Sequence, residues 1–411
     1  MIKTNDEEMK NQVFLFLAMV LIIIILASQI SLTIAINGSY SAISSSGTIR
    51  DLIGMRKHVI VYVGWLNDED REFVSSHFNL VVTTWDARGS IDDVKASNPN
   101  IVVLMYRDIM GISPEDKDWY LVDPHEDWFL HDINGNRIQN KQYGWYALDV
   151  GNSGWRTYYA NWVKNKISTS TVFDGVFADD VLSTFWYDLW TVPESSIPLE
   201  IGERWYNDMA GMVQYVKSTI ENKLLILNTD EWIGEYLQYS DGIMLEGFVH
   251  KSNWELDYFG PRSFDPLSHV DILSNLGRTG KYFLAHSGAA IPDNPTQLDL
   301  DRAHNMAVYC FSSFLLGIEG DKTTFGFNRI NSKDNSRGYY PEFDVALGSP
   351  TGKYYLLGKV YSRDFAKGKV LVNFMSSSYN VTLGKEYITL DGQKISYLLL
   401  GAHSGAILLN P

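Results

Sequence analysis

The chain has 411 residues, 45% of them hydrophobic and 20% charged, which is typical of globular proteins and excludes a disordered chain. The net charge of −15 and the lack of any Lys/Arg run argue against nucleic-acid binding. The single cysteine, Cys310, excludes an intramolecular disulfide and a cysteine zinc cluster, and its apolar surroundings indicate packing.

An apolar stretch comes first along the chain. Residues 13–36 are almost wholly apolar, and no charged residue lies between Lys10 and Arg50. Because this stretch is long enough to cross a bilayer, we expect residues 1–36 to form a cytoplasmic tip and a transmembrane helix. A cleaved signal peptide is the alternative, which would make the protein secreted. The lysines before the stretch place the rest of the chain outside the cell membrane.

A Ser- and Gly-rich stalk, residues 37–54, is expected to be followed by a barrel over residues 55–350. Apolar segments alternate there with helical patterns, and continuous apolar runs are typical of parallel strands that are buried on both faces. This alternation predicts an α/β fold, a TIM barrel. Its eight predicted strands are residues 58–65, 79–85, 100–106, 173–179, 223–228, 243–246, 281–286 and 311–318.

The pattern changes in residues 351–411, where short strands alternate with Gly, Asp and Asn turns. Six segments fit this description: KVYSRDF, GKVLVNF, YNVTLG, YITLDG, ISYLLLG and GAILLNP. They predict a small C-terminal antiparallel β domain. We expect this domain to brace the barrel, with carbohydrate binding as the alternative.

Two predicted strands end in carboxylates. FDGVFADDV, residues 173–181, ends in Asp179 and Asp180, and DGIMLEGF, residues 241–248, carries Glu246. Adjacent like charges repel, so a purely structural strand rarely ends this way. Catalytic groups of TIM barrels lie at the carboxyl ends of strands, and cleavage of a glycosidic bond needs one protonated and one ionised carboxyl group. The pattern therefore predicts a glycosidase with Asp179 and Glu246 as the catalytic pair.

Other strand ends carry aromatic and hydrogen-bonding side chains, which suit an oligo- or polysaccharide substrate. The predicted substrate contacts are Asp180, Trp65, Trp85, Tyr106, Asn228, Asp230 and His286. Each has a structural alternative: the rings pack at the edge of the core, the aspartates cap helices, and the histidine makes an internal hydrogen bond. No phosphate-binding loop, HExxH or GxSxG motif occurs, so no cofactor or metal is expected.

The DGVFADD segment, followed two strands later by MLEGF, resembles glycoside-hydrolase families built on TIM barrels, in particular hypothetical glycosyl hydrolase family fifteen. The resemblance runs from about Val59 to the C-terminus and includes LDVGNSGWRTYYANW and RDFAKGKVLVNF. It extends to alpha-galactosidases and alpha-glucosidases, whose nucleophile ends strand four and whose acid/base ends strand six. The resemblance implies a retaining mechanism with Asp179 as nucleophile and Glu246 as acid/base.

Two alternatives stay open from the sequence. Alternate residues of a strand face opposite sides, so only one of Asp179 and Asp180 is expected to point into the barrel mouth, and their roles are interchangeable at this point. A non-catalytic cell-surface module that binds glycans or a protein is the alternative to a membrane-anchored, extracytoplasmic glycoside hydrolase. The enzyme requires that Asp179 and Glu246 face each other across one cleft.

Overall fold

The structure is a computed structural model that describes residues 56–62, 64–229, 234–250, 265–289, 291–292, 294–327 and 337–411. The predicted anchor, residues 1–36, and the predicted stalk, residues 37–54, lie outside these ranges and stay predictions. Within the ranges that are described, no helix has the length and the apolar character to cross a membrane.

A closed barrel of eight parallel strands forms the first part of the described chain, which confirms the predicted barrel. Its strands follow the order β1-β10-β9-β8-β7-β6-β3-β2, and a short antiparallel pair, β4 with β5, lies in the connection after β3. The first ten strands are β1 (Arg56–Val61), β2 (Leu80–Thr83), β3 (Val102–Asp108), β4 (Gly111–Ile112), β5 (Tyr146–Ala147), β6 (Gly175–Val181), β7 (Leu224–Thr229), β8 (Gly242–Glu246), β9 (Tyr282–Ser287) and β10 (Thr323–Phe327).

Helices connect the strands, and polar side chains cap several of them. Asn67, Asn152, Asp265 and Thr296 each accept a backbone N–H of the first turn that has no partner within the helix. The helices are α1 (Asp68–His77), α2 (Arg88–Ser97), α3 (Trp119–Val122), α4 (Ser153–Ser168), α5 (Leu199–Ile220), α6 (Pro266–Thr279) and α7 (Gln297–Gly317). Short 3-10 turns span Trp85–Ala87, Glu126–Trp128, Tyr187–Leu189, Glu194–Ser196, Gly234–Tyr239 and Pro341–Asp344.

The barrel interior is filled by alternate residues of successive strands, as a packed barrel requires. One cluster holds the inward side chains of seven strands: Ile60, Leu80, Val82, Leu104, Phe177, Ile226, Met244 and Leu284. Asp174, directly before β6, has a structural role. Asp174 accepts the backbone N–H of Val103 and the ammonium of Lys95. These bonds attach the start of β6 to the neighbouring strand and helix.

The prediction that residues 311–318 form the eighth strand was wrong. These residues are the last turns of α7, and the eighth strand is β10, further along the chain. Phe311 and Phe314 of α7 pack on Phe325 of β10, while Ser312 on another side of α7 lies against the C-terminal sheet. A helix that is buried on both sides loses its alternation of polar and apolar faces, so its sequence looks like that of a buried strand.

The C-terminal sheet has six antiparallel strands in the order β11-β12-β13-β16-β14-β15, which confirms the predicted β domain. Two predicted strands, YNVTLG and YITLDG, form one long strand with a register shift, which contains Gly384 at φ +77°. The strands are β11 (Tyr355–Leu357), β12 (Val360–Phe365), β13 (Gly368–Asn373), β14 (Tyr379–Thr389), β15 (Lys394–Leu400) and β16 (Ser404–Leu409).

Helix α7 joins the sheet to the barrel. A Cβ on Gly405 of β16 would lie 2.5 Å from Ser312 of α7, so the strand passes directly over the helix. Arg363 of β12 is 2% exposed, and its guanidinium donates to the carbonyls of Leu316 and Ile318 at 2.8 and 2.9 Å. The carbonyls at the end of α7 have no donors within the helix, so Arg363 donates hydrogen bonds to them from the sheet.

Candidate active site

Asp179 and Glu246 lie close together at the carboxyl ends of β6 and β8. The strand between them, β7, places Asn228 so that its side-chain amide donates to Asp179 Oδ1 at 2.6 Å and to Glu246 Oε2 at 3.1 Å. The sum of these two distances is therefore an upper limit on the separation of the two carboxylate oxygens. Glu246 is exposed at the end of its strand, whereas Asp179 is half-buried. The structure thus brings three of the predicted site residues to one place.

Tyr106 holds the other oxygen of Asp179. Its hydroxyl donates to Asp179 Oδ2 at 2.6 Å, from β3, which pairs directly with β6. Burial, and then the charge of Asp179, raise the pKa of the Tyr106 phenol well above its usual value, so the phenol stays a hydrogen-bond donor. Burial also raises the pKa of Asp179, while the bonds from Tyr106 and Asn228 oppose this change by stabilising the ionised carboxylate.

Asp180 departs from the expected alternation of the strand. Its φ is +56°, in the left-handed region that side chains other than Gly, Asn and Asp rarely adopt, and the pairing of β6 with β7 shifts at this point. The charge of Asp108 on β3 acts on the Asp180 carboxyl group, together with the charges of Asp179 and Glu246. Asp179 and Asp180 therefore face the same group of acids, against the expectation that only one of them points into the mouth.

Asp108 is a site residue that the sequence analysis missed. One of its oxygens accepts the backbone N–H groups of Met110 and Gly111, each at 2.8 Å. Burial, followed by the charge of Asp179, raises the pKa of Asp108 to about 7. The pKa of Asp180 is raised well above its usual value by burial and by the charges of Asp108, Asp179 and Glu246.

The spacing between Tyr106 and Asp108 in the sequence could have identified Asp108 as a site residue. It lies two residues after Tyr106, so the period of two in a strand places both side chains on the same face. The predicted strand ended at Tyr106, which left Asp108 to the following loop. In the structure β3 continues to Asp108, opposite Asp179 in the register.

Of the other predicted contacts, His286 lies at the site and the two tryptophans do not contact it. His286 of β9 is the register partner of Glu246 and is 8% exposed. Trp85 stacks on Phe173, at the start of the segment leading into β6, and lines a surface cavity of about 480 Å³ together with Trp65. Trp65 is 61% exposed, and no described contact joins either ring to the acids. Asp230 lies outside the described residues.

Within the part of the chain that the structure describes, no group of three or more His, Cys, Asp or Glu side chains is arranged to hold a metal ion. Two neutral side chains, Tyr106 and Asn228, donate hydrogen bonds to Asp179 and Glu246. Such an arrangement suits chemistry in which carboxyl groups themselves exchange protons or attack carbon.

Comparison with protein families agrees with this geometry. The model of hypothetical glycosyl hydrolase family 15 matches residues 95–369, more than half of the chain. The chain belongs to this family. The resemblance predicted from the sequence is thereby confirmed, and the matched range contains Asp108, Asp179, Asp180, Asn228 and Glu246. No curated protein matches the chain.

Several solved structures match this chain at low sequence identity. The glycoside hydrolase domain of PelA from Pseudomonas aeruginosa is 12% identical with a TM-score of 0.45, covering 66% of this chain and 94% of that one. The maltogenic alpha-amylase AmyB from Thermotoga neapolitana is 12% identical, TM-score 0.46, covering 86% and 98%. Aspergillus fumigatus Ega3, solved with galactosamine, is 12% identical, TM-score 0.42, covering 72% and 97%. Similarity at this level does not transfer their substrates to this chain.

Proposed function

We propose that this protein is a retaining glycoside hydrolase that acts on an oligo- or polysaccharide, with Asp179 as nucleophile and Glu246 as general acid/base. The observation that carries the proposal is the Asn228 amide, which contacts both carboxylates. The limit that it sets on the distance between Asp179 Oδ1 and Glu246 Oε2 is compatible with the ~5–5.5 Å between the carboxyl groups of retaining enzymes.

The proposed reaction has two steps. In the first, Glu246 gives its proton to the glycosidic oxygen while Asp179 attacks the anomeric carbon; the C–O bond breaks and the leaving group departs as an alcohol. In the second, Glu246 removes a proton from water, the water oxygen attacks the same carbon, and the ester bond to Asp179 breaks. Two displacements at one carbon retain its configuration. Tyr106 and Asn228 orient the attacking carboxylate throughout.

The contacts of the two adjacent aspartates support Asp179 over Asp180 as the nucleophile. Asp179 accepts hydrogen bonds from two neutral donors, which favour the ionised form that attack requires. Burial, and then the charges of Asp108, Asp179 and Glu246, raise the pKa of the Asp180 carboxyl group well above its usual value. A protonated carboxyl group is a poor nucleophile. We assign Asp180 to binding a sugar hydroxyl or to orienting Asp179.

The test is chemical rescue with azide, after a screen of aryl glycosides has identified a substrate. Asp179→Gly and Glu246→Ala should both lose at least ~10³-fold in kcat while each variant still unfolds in a cooperative transition. Azide should then give a glycosyl azide of inverted configuration with Asp179→Gly and of retained configuration with Glu246→Ala, observed by NMR of the anomeric proton.

The matched control is Asp92→Asn, since Asp92 is an exposed aspartate. Full activity of Asp179→Gly without azide would remove the assignment. Glycan binding without turnover by the wild type would favour the non-catalytic module.

We also propose an extracytoplasmic location for the barrel, anchored by residues 13–36. The proposal rests on the apolar character of that stretch and on the lysines that precede it. Protease added to intact cells is expected to remove the barrel and to leave a short membrane-bound N-terminal fragment. Protection of the barrel under these conditions would contradict the proposal, and release of the protein into the medium would indicate a cleaved signal.

A further inference from the structure

A half-buried tryptophan, Trp145, lies directly before β5 and close to the acids. A Cβ on Gly111 of β4 would lie 2.5 Å from Asp108 Oδ2 and 2.8 Å from Trp145 Cε3. The sum of these two distances is an upper limit on the separation of the carboxylate oxygen from the indole ring. The antiparallel pairing of β4 with β5 thus brings the ring beside Asp108, and the missing side chain of Gly111 leaves room for it.

The strand order determines on which side of the site the ring lies. Asp108 of β3 is the register partner of Asp179 of β6, whereas Glu246 belongs to β8, two strands further on. Asn228 of β7, the strand between them, contacts both Asp179 and Glu246. Along the barrel wall the ring and Glu246 are therefore on opposite sides of Asp179.

Buried aromatic side chains hold the ring in place. Trp145 and Trp190 form a T-shaped pair with ring centroids 5.5 Å apart, and Trp190 stacks on Phe185 at 5.0 Å. Trp190 and Phe185 are buried. The backbone carbonyl of Trp145 accepts the N–H of Asn140 at 2.8 Å, which fixes the turn before β5. A ring held in this way loses little conformational entropy when a ligand binds to it.

The core covers only part of the ring. Trp190 is fully buried, but Trp145 is half-buried, and so are its neighbour Asp108 and the adjacent Asp179. Because these three side chains lie side by side at the carboxyl ends of the strands, we infer that one open space, the mouth of the barrel, adjoins all of them. Ligand sites combine aromatic surfaces with a few polar groups, and Trp145 supplies the aromatic surface beside the carboxylates.

We propose that Trp145 stacks on the glycone, the sugar that becomes attached to Asp179, and is a specificity-determining residue of the site. The inference rests on the proposed glycosidase function and adds a substrate contact to it. Glu246 protonates the oxygen of the leaving group, so the leaving group occupies the Glu246 side and the glycone extends toward the ring. The predicted substrate is a pyranoside with one face that carries only C–H groups, since a hydroxyl group standing on that face would separate it from the indole.

The contact is tested directly by ¹⁹F NMR of full-length Glu246→Ala, in detergent and labelled with 5-fluorotryptophan. The chain has 12 tryptophans, and the resonance that is missing from Glu246→Ala/Trp145→Phe belongs to Trp145. The aryl glycoside found in the substrate screen should shift this resonance, because the bound sugar replaces water at the ring. A Trp145 resonance that does not move at glycoside concentrations far above the wild-type KM would overturn the proposal. This readout does not depend on turnover.

Kinetics test which part of the substrate the ring contacts. Trp145→Leu keeps an apolar side chain against Trp190 and should raise KM by about 5–30-fold, whereas Trp145→Phe keeps an aromatic face and should stay within about 3-fold of the wild type. The increase should be equal for the nitrophenyl and the methylumbelliferyl glycoside of the same sugar, since the ring contacts the glycone. The matched control is Tyr215→Leu, at an exposed aromatic residue of α5, which should leave KM unchanged.

A purely structural role of Trp145 would give a different result, namely a lower melting temperature and kcat of Trp145→Leu with an unchanged KM. That outcome, or an increase in KM that differs between the two leaving groups, would refute the stacking contact. Unchanged KM in Trp145→Leu together with lost turnover in Asp179→Gly would refute the contact and leave the catalytic pair intact. Full activity of Asp179→Gly with a shifted Trp145 resonance would instead refute the catalytic assignment and leave the contact standing.

Discussion

Asp108 is expected to destabilise the folded protein at neutral pH, and its replacement by Asn tests this. In the unfolded chain an aspartate titrates near pH 3.8, whereas in the fold the pKa of Asp108 is about 7. The folded state therefore binds more protons than the unfolded state between these two pH values. The free energy of unfolding must fall as the pH rises through this window, and the penalty is complete only above about pH 7. Below pH 3.8 the penalty is absent.

The magnitude follows from the difference between the two pKa values. At ~1.36 kcal/mol per pKa unit, an isolated group would cost the fold roughly 4 kcal/mol. The titration of Asp108 depends on the charge of Asp179, and Asp108 is partly exposed, so we expect about half of this, ~2 kcal/mol. With an unfolding entropy of ~2.1 cal/mol/K per residue, a chain of this size gains roughly 2–3 °C in melting temperature.

The assay is calorimetry of wild type and Asp108→Asn at pH 4 and pH 8. The asparagine carbonyl can still accept from Met110 and Gly111, and its amide can donate to an ionised Asp180. The variant should melt higher than the wild type at pH 8 and at nearly the same temperature at pH 4. Asp92→Asn, an exposed aspartate of α2, should change neither value. Equal shifts at both pH values, or a lower melting temperature at pH 8, would refute the assignment of a raised pKa to Asp108.

Substitutions of three other side chains distinguish catalytic roles from structural ones. Asn228→Leu should lower kcat by about 10–100-fold, since the amide orients both carboxylates; unchanged kcat would mean that the bridge has no catalytic role. Tyr106→Phe removes a hydrogen bond that lowers the pKa of Asp179, so the acidic limb of the kcat/KM profile should move to higher pH; a shift to lower pH would contradict this. Arg363→Met should destabilise by ~3–5 kcal/mol in urea unfolding, because buried carbonyls of α7 lose their donor, with kcat of the folded fraction retained.

The barrel and the pair of acids were predictable because each depends on a strong local pattern. Continuous apolar runs separated by amphipathic helices specify a parallel barrel, and a carboxylate that follows such a run must lie at its mouth. The sequence therefore placed Asp179 and Glu246 at one end of the barrel without any knowledge of Asn228. The bridge itself depends on the register of β6, β7 and β8, which no local pattern encodes.

Other sequence-based predictions failed where tertiary packing overrides the local pattern. The end of α7 looked like a strand because the sheet covers the face that is normally exposed to solvent. Asp180 was expected to point away from Asp179, but a single positive φ changes the direction of its side chain. Trp85 follows the end of a strand and yet packs on Phe173, since the chain leaves the barrel mouth immediately after β2. A side chain beyond a strand end is not thereby in the cleft.

Helix α7 lies in one continuous hydrophobic core with side chains of the barrel and of the C-terminal sheet, and this limits how the chain can be divided. Heat or urea should melt barrel and sheet in one cooperative transition, since neither retains a complete core when the other is lost. Exchange of the C-terminal sheet for a foreign domain, in evolution or by engineering, therefore requires new residues along the outer side of this helix. The C-terminal sheet is thus an integral part of the folded unit that contains the barrel, and recombination cannot freely replace it.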